Sequence, residues 1–128
     1  MLDRMDKITE GIKREISMIL QEKVNDPRLD GIAVTRAKVS RDLKYAKIYY
    51  LGYSDDERVK SDAEKALKKA RRFIRSELAG RVSIKFIPEL VFVEDKEEEM
   101  EEHMDRTFEV IEKELEEHGE TEEGKEDE

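Results

Sequence analysis

Apolar residues recur at three- and four-residue spacing through Met5, Ile8, Ile12, Ile16, Ile19 and Leu20, which predicts an amphipathic helix over roughly residues 3–24. Its end falls before "NDPRLDG", where Pro27 disfavours helical geometry at Asp26 and the Asn, Asp, Pro and Gly cluster is turn chemistry. The period then shortens to two. "IAVTRAKVS" (Ile32–Ser40) and "YAKIYYLGY" (Tyr45–Tyr53) are rich in β-branched or aromatic residues, and the short "RDLK" between them predicts an antiparallel hairpin. In the second strand Ala46, Ile48 and Tyr50 face one way and Tyr45, Lys47, Tyr49 and Leu51 the other. One face can therefore meet helices while the second stays partly wet.

A longer helical pattern follows. Ser54 with Glu57 fits a capping box, and Val59, Ala63, Ala66, Leu67, Ala70, Phe73, Ile74 and Leu78 form an inward arc that ends at Ala79-Gly80. "VSIKFIPELVFV" (Val82–Val93) reads as a last strand, with Pro88 placing it at an edge or a bulge. The order helix, strand, strand, helix, strand requires helices to cover one face of a three-stranded sheet, a small α+β sandwich. Beyond it Met100, Met104, Phe108, Ile111 and Leu115 mark one face of a further helix over about 97–117, and the remainder reads as disordered. The expected organisation is a domain over 1–96 and an acidic C-terminal extension over 97–128.

A chain of 128 residues with no Cys holds one small domain without disulfides, thiolate catalysis or cysteine-bound metal. His103 and His118 are too far apart for a metal-ligand pair, and neither a P-loop nor a dinucleotide glycine fingerprint is present. The C-terminal carboxylates form runs without positioned neighbours, which solvate rather than catalyse. The expectation is a protein with no catalytic residues, metal, cofactor or small-molecule substrate. No apolar run approaches the roughly 18 residues of a membrane span, and "MLDRMDKITEGIKREI" lacks the apolar centre of a signal peptide. The expected location is the cytoplasm, away from membranes.

The formal net charge of -9 conceals two opposite halves. Residues 1–93 carry 21 Lys and Arg against 15 Asp and Glu, a net +6, whereas residues 94–128 carry 4 against 19, a net -15. The basic half is the candidate binder of a polyanion. On the second helix Lys65, Lys68, Arg72 and Arg75 fall opposite the apolar arc as one outward stripe, flanked by Lys69 and Arg71. A stripe alone is ordinary solvated surface. Solvated faces, however, commonly interleave Glu with Lys, and no acid intervenes from Lys65 to Arg75. Unalternated cations suit phosphates, which reward neutralisation through counterion release. Arg36, Lys38, Arg41 and Lys44 add charge in the hairpin. Tyr45 and Tyr49 offer either stacking surfaces or simple cover for the sheet.

The succession "EISMILQEKVNDPRL", "VTRAKVSRDLKYAKIYY", "KKARRFIRSEL" and "IPELVFVED" resembles bacterial ribosome-binding factor A over roughly residues 4–96. Its most specific pieces are Asp26-Pro27-Arg28, Ser40-Arg41-Asp42-Leu43 with Ala46-Lys47, Phe73-Ile74-Arg75, and Pro88-Glu89-Leu90 with Phe92 and Asp95. The resemblance implies a type II KH-like fold, α-β-β-α(kinked)-α-β. It further implies a non-catalytic, monomeric assembly factor that binds the free small (30S) ribosomal subunit and supports late maturation and processing of its 16S rRNA. The family lacks the usual GxxG phosphate loop and kinks its second helix at an Ala-x-Gly. The matching triplet here is Ala70-Arg71-Arg72, with arginine in the glycine's place. Asp26, Pro27, Asp42 and Leu43 suit structural roles in turns. The expected RNA-binding residues are Lys68, Arg71, Arg72, Arg75, Arg81 and Lys85, followed by Arg28, Arg36, Lys38, Arg41 and Lys44, neutralising phosphate rather than reading bases. The competing reading is a non-ribosomal protein-interaction adaptor that works through the acidic C-terminal helix.

Overall fold

The computed structural model describes residues 3–96. Helix α1 spans Arg4–Glu22 and buries Ile12, Ile16 and Ile19 completely. Asp3 caps it. The Asp6 amide donates to the Asp3 carboxylate at 2.8 Å and the Asp3 amide to the Asp6 carboxylate at 3.3 Å, so amides without helical partners are satisfied reciprocally. After α1, Asp26 caps a single 3-10 turn, Pro27–Leu29, and Leu29 is buried. Gly31 follows with φ 82°, where a Cβ would also come within 3.0 Å of the Tyr53 ring. Both the backbone and the space call for glycine.

Strands β1 (Ala33–Val39) and β2 (Tyr45–Leu51) form the antiparallel hairpin, in register from Ala33 opposite Leu51 to Val39 opposite Ala46, with a bulge between Val34 and Arg36. Polar side chains close the turn. Ser40 Oγ donates to the Asp42 carboxylate at 2.8 Å, the Lys44 amide donates to the same oxygen at 3.0 Å, and the Tyr45 amide donates to Ser40 Oγ at 3.0 Å. The amide bond and the hydroxyl hold the Asp42 carboxyl below its ordinary range. Leu43 takes a left-handed φ of 62° and packs on the core.

Helix α2 spans Glu57–Ala79. Its cap is Asp56 rather than Ser54. The Asp56 carboxylate accepts from the Arg58 amide at 2.8 Å, while Ser54 Oγ accepts from the Asp56 amide at 3.1 Å. The serine thus orders the residue that caps instead of capping directly. The helix runs without interruption through Ala70-Arg71-Arg72, so the expected kinked pair of helices is absent and the described residues contain two helices. No Gly or Pro lies between Glu57 and Ala79, and arginine propagates a helix nearly as well as alanine.

Strand β3 is shorter than the pattern indicated, Glu89–Glu94, and pairs in parallel with β2 from Tyr45 opposite Glu89 to Tyr50 opposite Glu94. Residues 82–88 are not strand. Pro88 cannot donate to a ladder, and pairing begins at the next residue, where the Glu89 amide donates to the Lys44 carbonyl at 2.8 Å. The sheet order β1-β2-β3 makes β2 central.

Two apolar clusters fill the face under the helices. One joins Ile12, Ile16 and Ile19 of α1 with Ile74 and Leu78 of α2 over Ala46, Ile48 and Leu90; the other sets Ala63, Ala66 and Leu67 against Leu29 and Tyr50. Three residues depart from the expected pattern of burial. Phe73, at the margin of the apolar arc, is 45% exposed. Lys47 and Tyr49, expected on a partly wet face, are both buried; they lie on the central strand, and the Arg36 guanidinium covers the Tyr49 ring at 3.9 Å. The expected 97–117 helix, with His103 and His118, lies outside the described residues.

Candidate nucleic-acid interface

Because Ala63, Ala66, Leu67, Ile74 and Leu78 turn α2 onto the sheet, Lys65, Lys68 and Arg72 stand exposed on the opposite side, with Lys69 exposed and Arg71 half-buried beside them. Arg75 does not continue this row outward. Its Nε donates to the Pro88 carbonyl at 3.1 Å and its Nη2 to the Ile87 carbonyl at 2.6 Å, while Nη1 lies 3.7 Å from the Glu89 carboxylate. The side chain leaves the helix at the flank of the arc, within reach of the segment that leads into β3.

Arg81 is also tied inward. Its Nη1 is 3.4 Å from the Glu15 carboxylate and 4.0 Å from that of Glu22, and only 22% of its side chain is exposed. The pair of acids on α1 anchors the end of α2. Arg28 grips Asp26 with Nε at 3.0 Å and Nη2 at 2.7 Å, and these side-chain bonds, helped by the Arg28 amide, hold the Asp26 carboxyl down at about 2. Arg36 pairs with Asp95 at 3.1 Å, and Asp95 also accepts from the Thr35 hydroxyl at 2.6 Å. A cation beside its own carboxylate contributes little to the outer field. Arg28, Arg36, Arg75 and Arg81 are thus each held beside a carboxylate of the fold itself.

Lys44, Arg41 and Lys85 are exposed, and Lys38 is half-buried on β1. Lys44 and Lys85 line one groove together with Arg75 and Arg4, so the fold brings these four together. Tyr49 cannot serve as a stacking surface because its ring is buried beneath Arg36. Reading residues 82–93 as a strand concealed a better aromatic. Phe86 is 72% exposed, with Lys85 Nζ 5.5 Å from its ring centroid. The juxtaposed Lys and Phe in "IKF" are the signal that could have found it. Among the described residues there is no group of three or more His, Cys, Asp or Glu able to hold a metal, and no helix long and apolar enough to cross a membrane.

The described residues form an α+β sandwich of two α-helices on a three-stranded sheet, with a row of exposed cations along α2. The profile of the family Ribosome-binding factor A matches residues 4–108 of the chain. Ribosome-binding factor A of Clostridium botulinum (strain Eklund 17B / Type B) is 43% identical over 109 residues, covering 84% of this chain and 94% of that protein. The crystal structure of ribosome-binding factor A from Thermus thermophilus superposes with a TM-score of 0.64 at 27% identity, covering 70% of this chain and 93% of that one. Coordinates of the Thermus thermophilus factor fitted into a cryo-EM map of its 30S complex superpose with a TM-score of 0.60 at 26% identity, covering 73% and 97%. The chain belongs to the ribosome-binding factor A family.

Proposed function

We propose that the chain is a non-catalytic, monomeric assembly factor that binds the free 30S ribosomal subunit through its 16S rRNA and supports late maturation and processing of that RNA in the cytoplasm. The observation that carries this reading is the row Lys65, Lys68 and Arg72, exposed along α2 with no acid from Lys65 to Arg75. Such a row neutralises successive phosphates and reads the shape of folded RNA rather than its sequence. Family membership and the 30S complex of the Thermus thermophilus factor support the choice of partner. In this reading residues 1–96 form a KH-like RNA-binding domain without a GxxG loop, and residues 97–128 an acidic extension.

Within the domain, Lys68, Arg72, Lys85, Arg41 and Lys44 face phosphate directly, with Arg71 and Lys38 at the margins. Arg75, Arg81, Arg28 and Arg36 hold the surface in shape. The test is sedimentation of the full chain with small subunits, large subunits and whole ribosomes. The expected result is selective retention by free small subunits, abolished or strongly weakened by the double substitution Lys65→Glu and Lys68→Glu. Equal retention by large subunits would remove the proposed partner, and an unaffected double variant would remove the proposed face.

A further inference from the structure

Between the first turn of α1, the β1–β2 turn and residues 83–89 lies an open groove of 810 Å³. Its floor is aliphatic, built from Met5, Ile8, Leu43 and Ile84, which pack partly buried against the core. Arg4, Lys44 and Lys85 stand around it. The carboxylates that share the groove are already engaged: Asp42 accepts the Ser40 hydroxyl and the Lys44 amide, and Glu89 lies 3.7 Å from Arg75. Phe86 sits in the same lining with most of its ring in water and the Lys85 ammonium beside it. The two bonds from Arg75 to the Ile87 and Pro88 carbonyls hold the backbone just after Phe86. The ring is thus presented on a fastened segment, which lowers the ordering cost of binding.

We propose that this groove receives an unpaired stretch of RNA, one base stacked on Phe86 and the flanking phosphates on Lys85, Lys44 and Arg4. The inference rests on the reading that the chain binds ribosomal RNA and adds a second contact, for single-stranded rather than folded RNA. An apolar floor with an aromatic ring beside cations is the chemistry of sequence-tolerant base stacking. A protein segment would suit the aliphatic floor equally well, but three cations around a floor whose carboxylates are engaged, and a ring flanked by an ammonium, favour bases joined by phosphates.

The test uses the full chain with three probes: a short oligouridylate carrying one 2-aminopurine, an RNA duplex of equal length, and free small subunits. Phe86 is exposed, so its replacement leaves the core intact. Phe86→Ala should weaken oligouridylate binding roughly 10- to 100-fold, the range for loss of one base–aromatic stack, and leave duplex binding unchanged. Phe86→Trp should retain binding, and as the chain contains no other Trp its indole emission should be quenched by the single strand. Oligouridylate binding that is absent from the unaltered chain, or unaffected in Phe86→Ala, overturns the groove assignment. Loss of small-subunit binding in Phe86→Ala with oligonucleotide binding intact makes the occupant a protein and overturns it equally. Failure of the Lys65→Glu and Lys68→Glu pair to weaken small-subunit binding strikes the α2 reading instead, whatever Phe86 does.

Discussion

Arg75 of α2 donates through Nη2 to the carbonyl oxygen of Ile87 at 2.6 Å, and its Nε reaches the next carbonyl, that of Pro88. A cation that helical spacing aligns with the exposed row Lys65, Lys68 and Arg72 is used to fasten the segment before β3. Arg75→Met keeps much of the stem and removes the donors, and should destabilise the fold by about 1–3 kcal/mol. Urea unfolding should show a lower midpoint with an unchanged slope. Arg75→Lys should recover only part of the loss, because an ammonium cannot span two carbonyls as the planar guanidinium fork does.

Lys65→Glu and Lys68→Glu should behave in the opposite way. Both side chains are exposed, so stability should change by no more than about 0.5 kcal/mol per site. Binding to small subunits should weaken, and each lost phosphate contact should reduce the slope of log affinity against log salt by about 1. Arg28→Ala and Arg81→Ala should move that slope less, since each removes a charge already balanced by Asp26 or Glu15.

The Asp26–Arg28 pair predicts a specific acid response. The Asp26 carboxyl sits at about 2 in the folded chain against an ordinary 3.8. A depressed value means that the pair stabilises fully above the ordinary value and that this contribution is withdrawn as pH falls toward about 2. Carboxyl chemical shifts followed by NMR should titrate near 2 in the unaltered chain. In Arg28→Ala the midpoint should move up toward 3.8 without fully reaching it, because the residue 28 amide still donates to the carboxylate.

Asp95 receives the Thr35 hydroxyl at 2.6 Å and the Arg36 guanidinium at 3.1 Å, and its own amide donates to the Tyr50 carbonyl. Asp95→Ala should lower stability by about 1–3 kcal/mol and leave Arg36 without its carboxylate. Thermal unfolding should register a fall in midpoint of about 4–8 °C for each kcal/mol lost in a domain of this size. Thr35→Val, which removes one donor and leaves the ion pair, should cause a smaller fall.

Arg72 stands where the family resemblance implies a kink glycine, and α2 runs through it without interruption. Arg72→Gly should destabilise α2 by about 1 kcal/mol through helix propensity alone. Amide exchange should quicken around residues 70–76 as the helix loosens there, whereas Arg72→Ala should leave exchange nearly unchanged.

Helix α1 and the hairpin were legible in the chain because their causes are local. Ile12, Ile16 and Ile19 mark one helical face, and Ala46, Ile48 and Tyr50 alternate along one strand face; nothing in the tertiary structure had to reverse those preferences. The turn at Ser40–Leu43 was equally readable, since its polar side chains bond to groups within five residues. Errors arose where neighbouring signals competed. Ser54 has the chemistry of a cap, yet Asp56 lies closer to the first turn and takes the role; "VSIKFI" has strand composition, but Pro88 delays pairing until Glu89.

The basic row on α2 was a property of the chain itself, determined by the spacing of Lys65, Lys68 and Arg72 against the apolar arc. Which other cations remain turned to water was decided only by the tertiary structure. Arg75 finds its carbonyl 12 residues away, Arg36 its carboxylate 59 away and Arg81 its carboxylate 66 away. Periodicity describes one element at a time. A long guanidinium side chain is captured by whichever acceptor folding places within about 3 Å of it, and that proximity is set by how α1, α2 and β3 pack together.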